Sequence, residues 1–147
     1  MHASAFKDYE YQSLCMVLTA KAEFHLRSIY IRENLPAENL KPTQEDIHKA
    51  EISLKRIIPE LLPGEANVYR AHYYLVHSDL CLWKEKYPEA ITWAKKAEDQ
   101  FKLGKVTSTN ALRPQNRLKL IKKLQTWKKE EEKKVDDILK KYSLTVS

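Results

Sequence analysis

Apolar residues return every three or four positions along most of this chain, a spacing that predicts helices separated by short proline- and glycine-marked breaks. From about Ala5 to Glu33 one face carries Tyr11, Leu14, Leu18, Ala22, His25 or Leu26, and Ile29, and Asn34-Leu35-Pro36 ends the run. The polar stretch through Lys41-Pro42 reads as a connecting loop. Thr43 then offers an N-cap, with Glu45 and Asp46 in the first turn, where the helix dipole favours negative charge. The second helix carries Ile47, Ala50, Leu54 and Ile57 or Ile58, and Pro59 must end or break it because proline has no backbone donor. Pro63-Gly64 is a firm stop.

The third helix, about Glu65 to Glu85, has two apolar stripes: Ala71, Tyr74, Leu75, Ser78 and Leu82, and Tyr69, Val76, Leu80 and Trp83. A helix apolar on more than one side belongs at the centre of its domain. Pro88 suits the first turn of a fourth helix and Gly104 its C-terminal cap. A polar loop from Lys105 to Arg113 follows, and Pro114 opens a fifth, long helix reaching toward Tyr142. Its apolar line runs Leu120, Leu124, Trp127, Val135, Ile138 and Tyr142, broken at Glu130-Glu131-Glu132. Its first half can dock on the helices before it, and its second half projects, frays or packs on something else. The expectation is an all-α fold of about five helices.

Composition narrows the class. The 147 residues suffice for one domain with a sizeable core, and only two glycines occur. No apolar run approaches the roughly 18 residues of a membrane span, and the first residues lack the order of a secretory signal. Cys15 and Cys81 both fall in apolar stripes and read as small buried hydrophobes of a reducing compartment. The expected location is intracellular, cytoplasmic or nuclear. The net charge of +6 is unevenly placed. Residues 1–112 hold 15 basic and 15 acidic side chains, whereas residues 113–147 hold 11 basic and 5 acidic. The positive field therefore belongs to the fifth helix rather than to the body.

Between Tyr69 and Phe101 the pattern resembles a tetratricopeptide repeat (TPR). Tyr74, Ser78 and Cys81 stand where that family places its large, small and large residues on a first helix. Tyr87, Ala90, Ala94 and Ala97 stand near the positions of its second helix. Lys84 replaces the usual turn glycine, Ala94 is smaller than the usual aromatic, and His77 stands where leucine is common. A weaker echo lies at Ala50, Leu54 and Ile57, a period of ~40 residues that fits helical solenoids. The resemblance implies a short right-handed stack of antiparallel hairpins over residues 1–112, at about 5–62 and 65–103. Residues 113–147 would form a long basic helix that caps the stack or projects from it.

The resemblance also implies a function: a non-enzymatic adaptor or scaffold that binds a peptide or helix of a partner protein. In its register His72, Leu75, Asp79 and Trp83 face a groove that could take such a partner. The family's clamp for a C-terminal carboxylate is not matched, since Asp79 stands where an uncharged amide is wanted. Independently of the family, Arg113, Arg117, Lys119, Lys122, Lys123, Lys128 and Lys129 form a basic run with no acid among them. It could contact nucleic-acid phosphates, an anionic lipid surface or an acidic protein, or be an ordinary solvated face. The apolar line of the fifth helix also leaves room for a homo-oligomer. No HExxH, CxxC or glycine-rich phosphate loop occurs, and five scattered histidines suggest no catalytic set. No metal, cofactor or enzyme activity is expected.

Overall fold

The computed structural model describes residues 2–28 and 41–142, with side chains from Tyr9 onward. Among these residues there are five α-helices and no strand. They are α1 (His2–His25), α2 (Gln44–Lys55), α3 (Asn67–Trp83), α4 (Tyr87–Leu103) and α5 (Arg113–Lys141). Short 3-10 turns at Pro59–Leu61 and Thr109–Leu112 precede α3 and α5. No described helix is long and apolar enough to cross a membrane.

Helix α1 stops earlier than Glu33, because Arg27 adopts φ 56° and its N–H returns to the Phe24 carbonyl at 3.2 Å. Ile29 and the stop at Asn34-Leu35-Pro36 lie outside the described residues. The buried face of α1 carries Cys15, Leu18, Thr19, Ala22 and Leu26, while Leu14 is 43% exposed. The stripe expected through Leu14 thus passes through Cys15 instead. The segment Tyr11–Ala20 contains no charged residue, so spacing alone could not say which side faces the core.

Thr43 caps α2 as its sequence demands. The Asp46 N–H donates to Thr43 Oγ1 at 3.1 Å, and the Thr43 N–H donates to Asp46 Oδ2 at 3.4 Å, satisfying two orphan donors reciprocally. Ile47, Ala50 and Leu54 are buried. Pro59 begins its own 3-10 turn, and the Ile58 N–H that it strands donates to the Tyr11 hydroxyl at 2.7 Å. Tyr11–Ile58 at one end and His25–Asp46 at the other show α1 and α2 to be antiparallel.

Helices α3 and α4 make the most extensive helix–helix contact. Ala90, Ala94 and Ala97 are fully buried, and side chains this small let the two backbones approach closely. Between them the Ser78 hydroxyl donates to the Ala90 carbonyl at 2.7 Å. At the far end Asn67 Nδ2 donates to Gln100 Oε1 at 3.0 Å, fixing an antiparallel pair. Gly104 caps α4 with an ordinary φ of −80°. It is Lys105 that takes the left-handed conformation, at φ 53°. Glycine at 104 suits a close approach of the helices: a Cβ there would sit 3.0 Å from Asn67 Cβ, a tight contact. Lys84 likewise keeps a right-handed conformation, and the turn to α4 is made by Glu85 at φ 58°.

Helix α3 is central, as its two apolar stripes require. Ser78, Asp79, Leu80, Cys81 and Leu82 are buried in succession. One cluster joins Val76, Leu80 and Tyr73 to α1 and α2, and another joins Leu75 and Ala71 to Ala97 and Phe101 of α4. Helix α5 docks mainly on α4 and buries only Pro114, Arg117 and Ile121. Ile121 packs with Cys81, Leu82 and Ala90, and the partly buried Leu120 and Leu124 pack against the same cluster, so the expected line docks together with Ile121. Both cysteines are buried free thiols, and burial pushes each thiol up.

Candidate binding cleft

Two of the four expected groove residues are inside the protein. Leu75 is 0% and Asp79 1% exposed. The Asp79 carboxylate meets Arg117 of α5, with Nε 2.6 Å from Oδ1 and a further N–H donating to Oδ2 at 3.4 Å. Burial pushes the Asp79 carboxyl up, while Arg117, Ser28 and Arg113 favour its ionised form. Arg117, expected on the basic surface, is therefore a core residue at 4% exposure. Its neighbour Arg113 turns to Glu23 of α1 at 3.9 Å, and the same carboxylate lies 2.5 Å from His72 Nε2. His72, Asp79, Arg113 and Arg117 thus join α1, α3 and α5 to each other.

Trp83 remains partly exposed. Its indole N–H donates to the Leu26 carbonyl at 2.7 Å, anchoring the end of α3 to the end of α1. It also lines a cleft of about 480 Å³ where three parts of the chain converge. Ile47 comes from α2, Leu82 and Trp83 from the end of α3, and Leu124 and Trp127 from the middle of α5. Tyr87, at the start of α4, adds a third aromatic side chain. Ile47 and Leu82 are buried, whereas Trp127 is 44% exposed and stands at the rim. Polar groups at this cleft include Glu85 and Lys128, an ion pair at 3.1 Å, and Glu131. Glu85 holds the Lys128 ammonium above its usual pKa. A cleft with apolar and aromatic walls and a few charged groups suits an amphipathic segment of another chain.

Beyond the cleft the apolar line of α5 continues uncovered through Val135, Ile138 and Tyr142, each more than half exposed. Lys119, Lys122, Lys123 and Lys129 are exposed as well. Lys123 Nζ lies 4.8 Å from the centroid of the Trp127 ring, so this basic side reaches the rim of the cleft.

A second aromatic group surrounds His77, which stands where the repeat family commonly has leucine. Its ring stacks on Trp93 of α4, with centroids 4.1 Å apart and planes 14° from parallel, and Tyr73 meets it edge-on. Burial pushes the imidazole pKa down to about 4; Glu51 opposes this shift, and Lys96 and Lys84 assist it. The folded protein thus prefers the neutral ring, and the unfolded chain binds the extra proton between that value and about 6.5. Stability should fall as pH drops through this window, by up to about 3 kcal/mol, and level off below it. Urea unfolding at several pH values should show the slope, and His77→Phe should remove this part of it.

Comparison with family models, curated proteins and solved structures finds no match for this chain. The functional reading therefore rests on the cleft and its surroundings. Among the described residues no three His, Cys, Asp or Glu side chains come together as a metal site. Sequence spacing had pointed to Trp83, Lys128 and the α5 apolar line separately. Ile47 reads in the sequence as an ordinary apolar position of α2 and Tyr87 as a position of the α3–α4 hairpin, and only the fold brings both to the cleft that Trp127 rims.

Proposed function

We propose that this protein is a TPR-like adaptor or scaffold module that binds an amphipathic peptide or helix of a partner protein. The observation that carries this reading is the aromatic cleft at Trp83, Tyr87 and Trp127, extended by the exposed line Val135, Ile138 and Tyr142. The close alanine-faced packing of α4 on α3 supports the likeness to a TPR hairpin. The binding site in this reading is displaced from Leu75 and Asp79 toward the α5 side of Trp83.

The exposed Lys119, Lys122, Lys123 and Lys129 favour a second reading, in which α5 contacts nucleic acid or anionic lipid. One experiment separates the two. The intact chain is used to capture partners at low and high salt, beside Trp127→Ala and the triple reversal Lys119→Glu, Lys122→Glu and Lys123→Glu. Protein partners should persist at high salt and be lost with Trp127→Ala, which should leave the melting temperature unchanged. Binding that vanishes at high salt and with the triple reversal, yet survives Trp127→Ala, would support phosphate recognition instead.

A further inference from the structure

Helix α1 is apolar on the side opposite the core as well as on the core side. Facing away from Cys15, Leu18, Ala22 and Leu26 stand Tyr9, Met16, Val17 and Phe24, which are 71%, 50%, 57% and 69% exposed. Ser13 and Ala20 lie between them and are also exposed. At 100° per residue these six positions fall within about one third of the helix circumference, over a length of roughly 22 Å. None is charged. The charged residues Glu10 and Lys21 flank this strip on one edge, near its two ends, and both are exposed. A helix apolar on both sides is one that is covered on both sides.

The order of residues along the strip says what covers it. We infer that α1 pairs with α1 of a second copy of this chain, antiparallel, about a twofold axis passing between Met16 and Val17. In that register Met16 faces Val17 of the other copy, Ser13 faces Ala20, and Tyr9 faces Phe24, each contact occurring twice. Large residues meet large ones at the centre and ends, and small residues meet small ones between, which brings the axes together without a gap. The twofold keeps each edge of the strip opposite itself, so Glu10 of one copy comes beside Lys21 of the other. The ion pair also repeats. A strip that complements itself in size and in charge at once is what an isologous interface requires. A parallel pair would instead set Tyr9 on Tyr9 and Phe24 on Phe24, and would put the Glu10–Lys21 edge of one copy across the interface from that of the other, so no ion pair would form. None of the strip residues lines the cleft at Trp127.

Sedimentation of the full chain over a concentration series tests the proposal. The wild type should pass from monomer to dimer, and Val17→Glu should raise the dissociation constant at least ~tenfold with an unchanged melting temperature. Glu10→Lys and Lys21→Glu should each weaken the dimer about two- to fivefold, and the two together should restore it. Ser13→Cys mixed with Ala20→Cys should give an oxidised cross-link between the two variants. A monomer at every concentration overturns the inference. So does a cross-link formed only between two Ser13→Cys chains, or a dimer dissolved by Ile138→Glu and untouched by Val17→Glu.

Discussion

Asp79→Ala should destabilise the protein by about 3–5 kcal/mol, measured by urea or thermal unfolding at neutral pH. The effect does not come from the strength of the ion pair as such. Removing the carboxylate takes from the Arg117 guanidinium, at 4% exposure, the counter-charge 2.6 Å away, and a buried cation that loses such a partner is what costs stability. The companion Asp79→Leu with Arg117→Met removes both charges and fills similar space, so it should recover most or all of the loss. If the single and double variants were equally unstable, the pair would matter through shape rather than charge. Arg117→Met alone should resemble Asp79→Ala, because it strands the carboxylate in turn.

Leu75→Ala should cost about 2–5 kcal/mol, since it opens a void among Ala71, Ala97 and Phe101 that the two helices cannot close. Helix α4 presents the fully buried Ala97 to this place, and Phe101, already buried there, must shift if the space is to be refilled. The measurement is the same unfolding curve, read beside partner capture at a temperature where the variant is still folded. Capture should then be unimpaired, because Leu75 has no exposed surface to offer a partner. Lost capture with unchanged stability would place Leu75 in a groove after all.

What the chain reveals without its coordinates depends on how local the deciding interaction is. The Thr43 capping box, the proline-opened helices and the alanine line of α4 all act over three or four residues, and each is legible. The helical class follows from them. The polar centre is different. Asp79 and Arg117 are 38 residues apart, and each alone looks like a solvated charge, so one reads as groove and the other as basic surface. A signal for Arg117 does exist: it shares the Pro114–Ile121 spacing, the stripe by which α5 docks. The second face of α1 was hidden for the opposite reason. An uncharged stretch from Tyr11 to Ala20 fits a core on either side, and only exposure shows that both are apolar.

The three-residue turn at Lys84–Lys86 has a consequence for the order in which the molecule assembles. Helices α3 and α4 close on each other with little loop entropy lost, and even their farthest bonded pair, Asn67 and Gln100, is 33 residues apart. By contrast, α1 and α5 are fastened to α3 through Trp83–Leu26, 57 apart, and Asp79–Arg117. Contacts near in sequence form early and distant ones late. The hairpin is thus the seed of folding, and the outer helices, which carry the exposed apolar strips, are the parts that can open while the centre stays folded.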